Sequence, residues 1–392
     1  MPPVRGRTRD NLIDSRVPNA FDIKHGHLFS KGRSKTMNKR SFLIRTVAIA
    51  ALLAAGGAQA AEKLRLLTWA DYAPKEIVDA FTKETGIEVE ITLSNNEEMI
   101  SKLRATQGAG FDLAQPSQDR ITGPQAEFGI YKPIDMSKID TKLFIGSMLE
   151  ATKKNTTAGG KVYGLPHIWG TDGLIVNAKT APGVKDYLDL CGPEVKGKAS
   201  LRAKRPTLIA FAFSMGMDPF AAYGNEKAYG EMMEKVGAKL TECKANLKFF
   251  WDGKDALLAG LRAGEVTAAM AWDTGGWKLN GEMAEIKFIA PKSGALGWVD
   301  TFALPAKGRN DEAAYKWINF NMRPDIAAKV AASAGNFSAS QGADKLAAGK
   351  LKDQFAESFP PAAIDNIKWY PAVPAGIEAI EGKILDKVKS AN

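Results

Sequence analysis

The stretch KLRLLTWADYAPKEIVDAFTKETGIEVEITL, Lys63 to Leu93, decides the fold class. Its opening, KLRLLTW, is a near-continuous apolar run of strand length. KEIVDAFTKETG places Ile77, Val78, Ala80 and Phe81 at helical spacing and stops at Gly86, whereas IEVEITL alternates with period two. Strand, helix, strand in that order predicts a parallel pair joined by a right-handed crossover. Ligands on such sheets bind beyond the carboxyl ends of the strands. TWADYAP, Thr68 to Pro74, sits at one of those ends, and it crowds an indole, a carboxylate and a phenol into four positions where a turn needs only Gly, Asn or Ser.

Outward from there the pattern repeats. NNEEMISKLRATQGAG reads as a capped helix ending at Gly108-Ala109-Gly110, FDLAQP as a short buried strand, and QPSQD, residues 115 to 119, as a second strand end. After VYGLPHIWG a second α/β region follows, from strand GLIVN through helices around Ala210 to Val236 and the helix KDALLAGLRAG to strand VTAAMAW. GWVDTFALP reads as a return strand and NDEAAYKWINFNMRPDIAAKVA as one long amphipathic helix. Two α/β lobes are expected, residues 61–168 with 299–335 and residues 169–298 with 336–392, joined near His167 to Thr171 and Gly297 to Asp300 with a cleft between them.

The formal charge of +9 suggests a polyanionic partner until its distribution is seen. Eleven basic residues against three acidic ones fall in the first sixty positions, which leaves about +1 for the rest and removes the case for nucleic acid. From Met37, MNKRSFLIRTVAIAALLAAGGAQA has a basic start, an apolar middle and Ala58-Gln59-Ala60, the pattern of a secretory leader cleaved after Ala60; residues 1–36 read as an upstream extension outside the mature chain. Arg45 and Gly56-Gly57 argue against a membrane anchor. An exported, periplasmic chain is expected, and in that oxidising compartment Cys191 and Cys243 either form a disulfide or stay as buried thiols.

Five of the eight tryptophans are followed within three residues by an aspartate: Trp69 with Asp71, Trp169 with Asp172, Trp251 with Asp252, Trp272 with Asp273, and Trp298 with Asp300. At average aspartate usage chance supplies about one such pair. Indole faces attract alkylammonium groups by about 0.5–2 kcal/mol each, and a carboxylate adds a charge-assisted hydrogen bond, so the pattern points to an amine ligand. Structural roles compete at each position. Asp71 and Asp252 are also placed to cap helices, Tyr72 to be a core residue, and Asp273 to point away from Trp272 unless the strand has ended. Trp317 and Trp369 lack the pattern and read as core or surface-helix residues.

Enzymatic motifs find no support. His167 is the only histidine after the leader, no Cys-x-x-Cys or His-x-x-x-His spacing offers a metal site, and neither a Gly-x-Ser-x-Gly elbow nor a phosphate-cradling loop occurs. No metal, cofactor or catalytic residue is expected.

The runs LRLLTWADYAPKEIVDAFTKETGIEVE, NNEEMISKLRATQGAGFDLAQPS, VYGLPHIWGTDGLIVN and GWVDTFALPAKGRNDEAAYKWINFNMRPDIAAKV together resemble the spermidine/putrescine-binding periplasmic proteins of ABC transporters. The resemblance implies a type II, two-lobed periplasmic-binding-protein fold with parallel-rich sheets. It also implies a receptor, by default a monomer, that closes on a small amine and docks on an inner-membrane permease. Carried over, the family's contacts fall on Trp69, Asp71, Tyr72 and Ser117, near Trp251 and Trp272, and on Trp298 and Asp300; Trp169, Asp172 and Asp273 join them from the aromatic–carboxylate pattern. One segment departs: where polyamine binders place two carboxylates, this chain reads SLRAKRPTL, with Ala203 and Pro206 at those positions. Two readings stand. Either Arg202 or Arg205 faces the cleft and contacts an anionic group of the ligand, or both face solvent as charge runs usually do, leaving Asp172, Asp273 and Asp300 to hold a polyamine.

Overall fold

The apolar run Lys63–Thr68 (β1) buries Leu64, Leu66 and Leu67 completely, each contributing on the order of 2 kcal/mol of hydrophobic stabilisation. The computed structural model describes residues 62–346 and 350–391; the expected leader at 37–60, its cleavage after Ala60 and the extension 1–36 lie outside the described residues. Helix α1 (Lys75–Thr85) lays Ile77 and Phe81 on the core and ends at Gly86 in the left-handed conformation. Strand β2 (Glu88–Leu93) follows. Helix α2 (Asn96–Thr106) is capped by the Asn95 side chain, which accepts from the Glu98 amide, and leads to β3 (Leu113–Ala114). The sheet order β2-β1-β3 is parallel throughout, as the crossover pattern requires.

The larger sheet is built around one long strand, β4 (Leu165–Asn177), which begins eight residues before the expected GLIVN. Its other members are β5 (Ala199–Arg202), β6 (Leu247–Trp251), β7 (Ala268–Trp272), β8 (Ile286–Ile289), β9 (Leu296–Phe302), β10 (Phe337–Ser338) and β11 (Lys368–Trp369). The order is β11-β9-β4-β7-β5-β6, with β8 and β10 also pairing along β4. This sheet is mixed rather than parallel-rich: β4 runs antiparallel to β7, β8, β9 and β10, while β7-β5, β5-β6 and β9-β11 are parallel.

Strands β4 and β9 pair along nearly their whole length, from Leu296 opposite Asp172 to Phe302 opposite Leu165, with an irregularity between Asp300 and Thr301. Leu165, Ile168 and Phe302 pack in the core that also holds β1 and α1, whereas Leu174 and Leu296 pack in the core of the second region. Trp298 lies against both.

Two further readings differ from the sequence pattern. The long helix from Asp311 is two helices, α7 (Asp311–Asn321) and α8 (Pro324–Ala334), because Pro324 forces Arg323 into an extended conformation with ψ 134°. Neither Asp71 nor Asp252 caps a helix: the residues at those caps are Pro74 and Gly253, without a side-chain bond. Cys191 and Cys243 are joined as a disulfide, so of the two cysteine readings the paired one holds. Trp317 is buried on α7, and Trp369 is half-exposed on a strand rather than a helix.

Candidate ligand-binding site

The turn after β1 is held in an unusual shape. Asp71 has φ +70°, one of two non-glycine residues with positive φ among the described residues, a conformation that aspartate tolerates better than most. The turn aims Trp69 and Tyr72 inward, and the Trp69 indole N–H donates to the Gln115 carbonyl at 2.8 Å, tying the turn to the neighbouring strand end. Tyr72 is buried; its hydroxyl donates to Asp300 at 2.6 Å, and the Ser117 hydroxyl donates to the other oxygen of that carboxylate at 2.5 Å. Asn96 in turn donates to the Ser117 hydroxyl at 2.9 Å. Four residues distant in sequence thus form one chain ending on a buried carboxylate.

These groups open onto a cavity of about 400 Å³. Its wall includes Trp69, Tyr72, Ser117 and Asp300 on one side and Asp172, Arg202, Trp272 and Tyr370 on the other, with Trp298 between. Gly170, opposite Trp298 in the ladder, makes room for that indole: a Cβ there would lie 2.6 Å from the Trp298 ring and from Asn336 Nδ2.

The carboxylates differ in their partners. Burial pushes the Asp300 carboxyl up to about 7, against its two hydroxyl donors. Asp172 has no side-chain hydrogen bond to another described residue; burial, opposed by Arg202 and assisted by Asp273 and Asp300, pushes it up to about 8. Asp273 is not in the wall. β7 ends at Trp272, and Asp273 begins the next helix, with four donors on its oxygens: the Thr171 amide and hydroxyl, the Thr274 amide and Asn336 Nδ2. It fastens three segments together, so its expected contact with a ligand is replaced by a structural role.

Several other expected residues stand elsewhere. Trp169 points to the far side of β4, stacked on Phe337 at 4.5 Å and beside Trp369. Trp251 is buried behind Trp272, edge to face at 5.1 Å. Asp71 lies at the rim, paired with Lys254 of helix α5 (Lys254–Arg262). His167 is buried beneath Tyr72, its Nδ1 2.7 Å from Gln115 Nε2, and burial lowers its pKa to about 3.

Both arginines of the departing segment are buried, not solvated, and Lys204 between them is half-buried. Arg202 is 8% exposed, its guanidinium carbon 4.7 Å from the centre of Trp272 and 5.3 Å from Trp251. Arg205, on helix α3 (Arg205–Ser214), bonds Asp119 at 2.8 Å, Glu381 at 3.1 Å and the Tyr223 hydroxyl. Residues outside the aromatic–carboxylate pattern complete the wall: Asn96, Asp119, Arg120, Lys254, Asn336 and Tyr370. Asn96 and Asp119 were legible as neighbours of a strand end; nothing local to Asn336 or Tyr370 distinguishes them. Among the described residues no group of acidic, histidine or cysteine side chains is placed to hold a metal, and no helix is long and apolar enough to cross a membrane.

Comparison with known proteins agrees with this architecture. A family model described as bacterial extracellular solute-binding protein matches residues 76–357. The spermidine/putrescine-binding periplasmic protein of Escherichia coli (strain K12) is 29% identical over 354 residues, 86% of this chain and 95% of the relative. Spermidine/putrescine-binding periplasmic protein 1 of Haemophilus influenzae is 30% identical over 284 residues, 71% and 75% of the two chains. The solved structure of a spermidine/putrescine ABC transporter protein from Listeria monocytogenes superposes with a TM-score of 0.73 at 23% identity, covering 84% of this chain and all of the other. A two-lobed α/β architecture with a cavity walled from both lobes, matched along most of its length by one family, places the chain in the bacterial extracellular solute-binding protein family.

Proposed function

We propose that this chain is the periplasmic receptor of an ABC importer, capturing a small amine between its lobes and presenting it to the permease. One observation carries the reading: two buried carboxylates, Asp172 and Asp300, face a single cavity whose walls are the indoles of Trp69, Trp272 and Trp298 and the ring of Tyr72. An ammonium group entering there meets two carboxyl groups, displacing the proton that burial holds on Asp172, and aromatic faces that cover its methylenes. Trp69, Tyr72, Ser117, Asp172, Trp272, Trp298 and Asp300 are the proposed contacts.

Closure brings the lobes together about β4 and β9, the strands shared by both cores, near the boundaries 168/169 and 298/299. The Asp71–Lys254 pair then bridges the rim. Ligand shifts the population toward this closed form by adding contacts from the second lobe. Names of the relatives support the amine class and the periplasmic setting. No chemical step is assigned: His167, buried and with a pKa near 3, is a poor proton acceptor.

A melting-temperature panel on the mature chain tests the reading. Among mono-, di- and polyamines and amino acids, at least one amine at a hundredfold excess over its Kd adds about 2.7 kcal/mol of stability and raises the melting point. No response to any amine-bearing compound would refute it.

A further inference from the structure

The Trp272 face that an amine ligand needs already carries a cation. Arg202 sits over Trp272 at 4.7 Å and Trp251 at 5.3 Å, so the chain's own guanidinium occupies the aromatic position that a second ligand ammonium would take. Arg202 lines the cavity, is more than nine-tenths buried, and its Nε is buried without a partner. Its neighbours in the departing segment are different: Arg205 is neutralised by Asp119 and Glu381, and Lys204 lies within 4 Å of Glu97 and Asp252. No described carboxylate comes that close to Arg202.

The surroundings limit what can answer that charge. Indoles lie against the guanidinium, so its donors are free only in its own plane and toward the cavity. A planar acceptor with two oxygens, a carboxylate above all, matches this fork, whereas an ammonium is repelled by it. The sheet sets the spacing. Trp251 is opposite Arg202 across β6 and β5, and Trp272 is opposite Asp172 across β7 and β4, so Arg202 and Asp172 stand about two strand separations apart, roughly 10 Å between backbones. Both side chains line the one cavity of about 400 Å³, which has room for a ligand of a few methylenes.

We infer that the ligand is an amino-carboxylate, with its ammonium on the Asp172 and Asp300 side and its carboxylate on Arg202, and that a diamine is the poorer guest. This rests on the amine-receptor reading and deepens it. The two buried carboxylates against one unpaired guanidinium also admit a basic amino acid with two ammonium groups.

Isothermal titration of the ligand-free mature protein with putrescine, γ-aminobutyrate, 6-aminohexanoate, ornithine, lysine and succinate decides it. At least one amino-carboxylate binds tenfold or more tighter than putrescine and succinate. Arg202→Gln weakens that ligand by roughly ten- to a hundredfold, the loss of charge-assisted bonds, and narrows or reverses its advantage over putrescine. Arg202→Lys keeps the charge but loses the fork, and falls between. Tighter binding of putrescine than of every amino-carboxylate overturns the inference while leaving the amine-receptor reading intact; absence of binding by all six compounds also overturns the inference, and the amine-receptor reading falls with it when the wider amine panel is silent too. The wild-type ranking stands whether or not the Arg202 variants fold.

Discussion

Asp172 makes the ligand-free protein less stable as pH rises, and the effect is large enough to measure. Its carboxyl is buried at 4% exposure, without a side-chain hydrogen bond to a described residue, and its pKa is raised from 3.8 to about 8, chiefly by burial. A carboxyl whose folded pKa exceeds its unfolded value holds its proton better in the folded chain. Its contribution is therefore fully present below the unfolded pKa near 4 and is lost as pH rises toward 8. Between pH 5 and pH 8 the loss amounts to about 3 to 4 kcal/mol. With an unfolding entropy of about 2.1 cal/mol/K per residue over roughly 330 residues, the melting point falls by about 5 °C. Asp172→Asn removes the titrating group and keeps the shape. Melting curves at half-unit pH steps on both proteins, without ligand, isolate the residue, with its coupling to Asp273 and Asp300, as the difference between two slopes, which cancels the titrating groups that do not feel it. Wild type losing stability more steeply above pH 5 is the expected result. Parallel slopes would refute the idea that an unpartnered, desolvated carboxylate faces the cavity. The same proton opposes an ammonium ligand, so affinity for amines should weaken by up to tenfold per pH unit as pH falls below about 8.

Three further outcomes are expected. Asp300→Asn keeps a side chain that the Tyr72 and Ser117 hydroxyls can still bond, but loses the charge, and calorimetry should show amine affinity down by roughly tenfold to a hundredfold with the ligand-free fold retained. Reducing Cys191–Cys243, which spans 52 residues, should cost about 4 kcal/mol of stability in denaturant melts, yet leave ligand affinity nearly unchanged because neither cysteine is in the cavity wall. Lys254→Ala breaks the rim pair with Asp71; both side chains are more than a third exposed, so stability should change by less than about 1 kcal/mol, and a faster ligand off-rate by stopped-flow fluorescence is the signature of a weakened closed form.

Residues whose role is set by neighbours in the chain are legible in the sequence. Trp69 and Tyr72 follow a strand in a β-α-β unit, and Ser117 follows the next strand, so position at a carboxyl end already implied a shared cavity. Trp298 and Asp300 lie on a strand whose partner register decides their direction, and the motif alone marked them. Two different physical causes turn the remaining motif residues away from the cavity. Trp169 and Asp172 are three apart on β4, and an odd separation along a strand turns side chains to opposite faces: Asp172 lines the cavity and Trp169 joins the Phe337 and Trp369 cluster. Asp273 begins a helix rather than ending a strand, and four donors claim it.

Periodicity and strand-end chemistry determine that this is a two-lobed α/β protein with an aromatic, acidic cleft, because each depends on residues a few positions apart. The fate of a charged side chain does not. Arg202 and Arg205 belong to one basic run; folding brings Asp119 and Glu381, 86 and 176 residues away, onto Arg205, and sets two indoles at 4.7 and 5.3 Å from the Arg202 guanidinium with no described acid within 4 Å of it. Whether a buried cation is spent on structure or left for a ligand depends on partners that only the tertiary structure brings within a few ångströms.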